Sequence, residues 1–108
     1  MGGFGAAYYG LKHPDKFCYV YTMSQAAMEP LYTLADNADK GALPFIFVAN
    51  GTTDQTVGKG PDEFYEYIKA AGLRCGFENW LGGHDWKFWG ECAPKFLRQI
   101  GEEFNINK

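Results

Sequence analysis

The chain has 108 residues, 46% of them hydrophobic and 18% aromatic, with ten basic and thirteen acidic residues and a formal net charge of -3. That apolar content excludes a disordered chain, the length allows one domain at most around a single core, and a near-balance of charge without a basic run argues against a nucleic-acid partner. No apolar stretch reaches the roughly 20 residues of a membrane helix, and the N-terminus has neither the basic start nor the apolar run of a signal peptide, so no membrane is expected and the compartment, cytoplasmic or secreted, stays open.

Residues 2–13 are small and aromatic, and His13-Pro14 should stop a helix there, because the residue before a proline is biased away from the helical region. Phe17 to Met23 alternates aromatic and β-branched residues and reads as a buried strand. A mixed stretch from Ser24 to Leu43 holds a helical patch around Leu31 to Ala38, with Pro30 and Gly41 as breaks. Pro44 to Asn50 is the clearest strand, apolar throughout as in a parallel sheet covered on both faces. Pro61, Asp62 and Glu63 suit the first turn of a helix whose apolar face is Phe64, Tyr67, Ile68 and Ala71, and Gly72 ends it. Arg74 to Trp80 gives a third strand and Trp86 to Ile100 a last helix, with Pro94 as a kink or restart. The alternation predicts an α/β fold of about three parallel strands with flanking helices in one unit.

In sheets of this kind the loops that bind and react lie at the carboxyl ends of the strands, and two loops here carry suitable groups. Asp54 follows the second strand in Gly51-Thr52-Thr53-Asp54, and His84 follows the third in Gly82-Gly83-His84-Asp85-Trp86. Adjacent parallel strands would bring these loops together, and an aspartate can then fix the histidine's tautomer and stabilise its protonated form. Taken singly, Asp54 is an aspartate of a polar turn and His84 a loop histidine among glycines. Their register after successive strands makes them an acid and base pair. Asp85 is the competing acid, but a sequence neighbour usually points elsewhere, and it suits the cap of the helix that starts at Trp86.

Other constellations are weaker. Gly2-Gly3-Phe4-Gly5 has no preceding strand and no following lysine to make it a phosphate loop. His13 and His84 lie far apart, so no metal site is expected. Ser24 is the one serine in the chain and reads as a turn residue. Trp80, Trp86, Phe88 and Trp89 could line an aromatic pocket, although packing is the commoner role. Cys18, Cys75 and Cys92 fit neither a disulfide framework nor a zinc motif and read as buried or half-buried thiols, with one disulfide plus a free thiol as the alternative.

Taken together, Met1-Gly2-Gly3-Phe4-Gly5-Ala6, Gly51 to Asp54 and Gly82 to Trp86 resemble motifs of the carbohydrate esterases that include feruloyl and acetylxylan esterases, close to the esterase D type. Members typically read G-x-S-M-G-G-x-G-A at the nucleophile elbow, G-x-x-D at the acid and G-G-H-D-W near the end. The resemblance covers nearly the whole chain and is most specific at the histidine motif. It implies the C-terminal portion of an α/β-hydrolase fold, Asp54 as triad acid, His84 as general base, no cofactor, and ester or acylated-polysaccharide substrates in the full-length family. It also implies that Met1 occupies the position whose backbone N–H lines the oxyanion hole. These 108 residues begin just after the family's serine, so the chain alone is expected to be inactive. An uncovered edge on the first strand would recruit another chain, so a homo-oligomer is expected, and the alternative to an esterase fragment is a noncatalytic, self-associating, truncated hydrolase-fold protein.

Overall fold

Three short runs that carry aromatic residues, two of them also β-branched, pair side by side in the computed structural model, which describes residues 2–26, 29–37 and 43–104. In chain order the elements are α1 (Gly2–Lys12), β1 (Tyr19–Met23), α2 (Glu29–Asn37), β2 (Phe45–Gly51), α3 (Gly60–Ala70), β3 (Cys75–Trp80) and α4 (Trp86–Phe104). The strands form a parallel sheet in the order β1-β2-β3, with Tyr19 opposite Phe45, Ile46 opposite Cys75 and Gly51 opposite Trp80. The predicted α/β class and strand number hold.

Alternation along β2 divides the interior in two. Ile46 and Val48 join Val20 and the buried residues Ala7, Leu11, Leu31, Ala35, Phe64 and Ile68, so α1, α2 and α3 cover one face. Ala49 joins Tyr21, Phe88 and Cys92 on the other face, which α4 covers. A strand covered on both faces has no polar side to present, which is why residues 45–49 are apolar without a break. Successive crossovers of one hand place α2 and α3 on the same side.

The helix ends follow local chemistry. Pro61 lies in the first turn of α3 with Asp62 and Glu63, where a missing N–H costs nothing and negative charge faces the helix dipole. At its other end Gly72 takes φ 89°, the Gly72 amide donates to the Lys69 carbonyl and the Leu73 amide to that of Ile68. That pair of bonds is the Schellman arrangement, and buried Leu73 supplies its apolar contact. Asp85 caps α4, its Oδ1 accepting the Phe88 amide at 2.9 Å.

The structure differs from the sequence expectations at several points. β1 begins at Tyr19 rather than Phe17, and Phe17 stands exposed beyond the ladder. α4 continues through Pro94 to Phe104 without a restart. The helix loses one hydrogen bond at the proline, yet Phe88, Cys92 and Phe96 keep their apolar face on the sheet on both sides of it. All three cysteines are free thiols, but Cys18 is exposed because it precedes β1 at the open end of the sheet. Burial pushes the Cys92 thiol up to about 11 and raises that of Cys75 as well, so neither is a ready nucleophile. Among the described residues no helix is long and apolar enough to cross a membrane.

Candidate functional site

The site is built where β2 and β3 end side by side. Beyond Gly51 the backbone is tied to the loop after β3: the Thr52 amide donates to the Trp80 carbonyl at 2.9 Å, and the Thr53 amide and hydroxyl both donate to the Gly82 carbonyl, at 3.0 and 2.8 Å. Side chains have no room between these loops. A Cβ on Gly51 would run into the Gly82 carbonyl, and one on Gly82 would lie 2.5 Å from the Phe88 ring. The glycines are needed here for close approach. Phe88 is fully buried beneath them and stacks on Trp80, with ring centroids 4.5 Å apart.

Asp54 sits in the turn that follows. Its Oδ1 accepts the amides of Thr56 at 2.9 Å and Val57 at 3.1 Å, an Asx turn that fixes the carboxylate. Its Oδ2 meets Nδ1 of His84 at 3.0 Å, and the Asp54 side chain is wholly buried while that of His84 is 28% exposed. Burial is the largest single influence on Asp54 and pushes its pKa up. The Val57 and Thr56 amides and the His84 ring act together against it and hold the carboxyl below its ordinary value. An ionised carboxylate only accepts hydrogen bonds, so Nδ1 of His84 carries a proton and donates, and in the neutral ring Nε2 keeps its lone pair.

His84 opens on a cleft of about 520 Å³ that runs between the start of α1 and the end of β1. Gly2 and Gly3 form one wall, Met23 and Ser24 another, and Trp86 and Trp89 flank the imidazole. Gly3 lets α1 lie close: a Cβ there would stand 2.6 Å from the Met23 carbonyl and 2.8 Å from Cα of Gln25. Trp86 is 83% exposed at the rim. The arrangement can take up a proton at Nε2 from a group in the cleft and stabilise the resulting imidazolium through Asp54.

The structure therefore brings together Asp54 and His84, the two side chains singled out in the sequence. Asp85 turns away to cap α4, as its position suggested. Met1 lies outside the described residues. Sequence reasoning gave no role to the link between Ser24 and Trp89, whose Nε1–H donates to Oγ of Ser24 at 3.0 Å. No sequence signal announces a hydrogen bond between residues so far apart, and Ser24 had read as a simple turn.

The three parallel strands with flanking helices match part of the α/β-hydrolase fold, in the form found in esterases. The chain superposes on a ferulic acid esterase with a TM-score of 0.77 and 29% identity, covering 90% of this chain and 46% of that one. It superposes on the S-formylglutathione hydrolase of Staphylococcus aureus with a TM-score of 0.83 and 20% identity, covering 93% and 47%. In sequence it is 39% identical over 51 residues to an acetyl esterase of Caldicellulosiruptor saccharolyticus, which is 47% of this chain and 19% of that protein. No family model matches the chain. It thus spans about half the length of these two solved proteins and a smaller share of the acetyl esterase.

Proposed function

We propose that these residues are the C-terminal part of a single α/β-hydrolase domain and supply the acid and base of a serine esterase. The observation that carries the reading is the buried Asp54 carboxylate on Nδ1 of a cleft-facing His84, at the ends of adjacent parallel strands. In the complete enzyme Nε2 of His84 takes the proton of an attacking serine and later returns it to the leaving alcohol. Asp54 keeps the imidazole in the required tautomer and stabilises its charged form. The serine itself comes from residues outside the 108, directly upstream of Met1, and the Met1 amide joins the oxyanion hole once it is part of a continuous chain. The reaction calls for no cofactor or metal. The likeness to an acetyl esterase and a ferulic acid esterase supports substrates that are small esters or acyl groups on plant polysaccharides.

On this reading the 108 residues alone are inactive. Ser24 is the one serine present, and its buried Oγ is engaged by the Trp89 indole. Hydrolysis of p-nitrophenyl acetate and methyl ferulate tests the proposal. The purified chain should give no turnover above buffer, a protein extended upstream through a G-x-S sequence should be active, and His84→Ala in the extended protein should abolish that activity. Turnover by the short chain that depends on His84 would show that a nucleophile lies within it.

A second reading concerns the chain on its own. β1 pairs with β2 on one side, and along its other side runs an apolar groove of about 380 Å³ that includes Tyr9 and Phe17, both exposed. An open strand edge beside exposed aromatic rings favours self-association of the 108-residue form, as a two-fold dimer pairing β1 with β1.

A further inference from the structure

A single hydrogen bond at Nδ1 fixes one point of the His84 ring and leaves the ring free to swing about that contact. A second contact comes from Trp89, whose ring meets the imidazole edge to face, with centroids 5.1 Å apart and planes at 82°. Trp89 is itself held at two places. Its Nε1–H donates to Oγ of Ser24 at 3.0 Å, and Trp86 packs edge-on at 5.2 Å and 89°.

Ser24 is an unusual anchor. It takes φ 55°, the left-handed region that residues other than glycine rarely enter, at the point where β1 stops. Its amide donates to the Ala49 carbonyl on β2 at 3.2 Å, and its side chain is buried. A serine held in this conformation directs Oγ at the indole, where glycine would satisfy the backbone more easily and offer no acceptor. The last residue of β1's exit therefore connects through Ser24 and Trp89 to His84, while β2 reaches the same ring through Asp54.

We propose that Trp89, pinned by Ser24, is a positioning residue for the His84 imidazole, fixing the plane of the ring so that Nε2 faces the cleft. This rests on reading Asp54 and His84 as the acid and base pair. In it Ser24 is a support for the indole and not a nucleophile. Two strands then act on one ring: Asp54 supplies the acceptor at Nδ1, and Trp89 holds the ring in the plane in which that bond is made, so the tautomer depends on both.

The test uses the 108-residue chain with ¹⁵N-labelled histidine and needs no substrate. Long-range ¹H–¹⁵N correlations report the tautomer of His84, and a pH titration gives its midpoint. Where the ring is neutral, wild type should carry its proton at Nδ1. Trp89→Phe removes the indole donor, and Ser24→Gly removes the acceptor while suiting the positive φ, so the second variant keeps the fold if the first does not. In each folded variant, with its far-ultraviolet dichroism and melting temperature retained, the Nδ1-protonated form should give way to a mixture and the titration midpoint should move. An unchanged tautomer and midpoint in Ser24→Gly, or in a folded Trp89→Phe, would overturn the proposal. Asp54→Asn separates it from the reading beneath: if that change also leaves the ring unmoved, the acid and base pair itself is wrong, whereas if Asp54→Asn alone moves it, only the role of Trp89 falls.

Discussion

Asp54 shows how opposing local effects set the state of one carboxyl. Burial alone would raise its pKa, and two backbone amides with the His84 ring reverse the sign. Because the folded value lies below the ordinary 3.8, the group adds stability that is fully present above that pH and is lost as pH falls through the lower folded value. Thermal unfolding followed from about pH 6 to about pH 2 should therefore show a drop at the acid end that is shallower in Asp54→Asn, since the amide has no proton to gain. Both members of the pair were legible in the sequence because each follows a strand at a fixed short distance and stands among glycines or threonines that build a turn. Ser24 and Trp89 were not legible in the same way. A positive φ at a serine is imposed by the surrounding structure, and the partner that uses it comes from a helix at the far end of the chain.

At the scale of elements, the loops after β2 and β3 behave as one piece, since backbone hydrogen bonds join them and no side chain separates them. Gly51→Ala should force that joint apart. The added methyl meets the Gly82 carbonyl and approaches the Phe88 ring, and overpacking of this kind costs about 1–3 kcal/mol. Chemical denaturation should register that loss, and the Nδ1 proton of His84 should lose its protection in the same variant. The helices and strands themselves were largely readable: the apolar run of β2, the proline and acidic start of α3 and the aspartate before α4 each act through local rules. The failures lie where packing outweighs a local rule. Pro94 removes one helix hydrogen bond, but the residues on either side of it bury a continuous apolar face, so α4 runs on. Phe17 has the residue type of a strand, but the ladder with β2 starts at Tyr19 opposite Phe45, and Phe17 lies outside β1.

For the molecule as a whole, among the described residues, the sheet is covered on both faces, and no strand pairs with the outer side of β1. Light scattering coupled to size-exclusion chromatography should find the 108-residue form as a dimer, and Tyr9→Glu should shift it toward monomer by placing a charge in the groove beside that strand. A monomer at all concentrations would remove the case for self-association. The joint between the two loops also bears on inheritance. Everything that brings Asp54 to His84 lies in the continuous segment from Phe45 to Phe88, so a recombination event that moved this segment would carry the pair intact into a new background. The anchor at Ser24 would stay behind. A descendant of such an exchange would keep the contact between Asp54 and His84 but lose the link from β1 to the indole beside the ring.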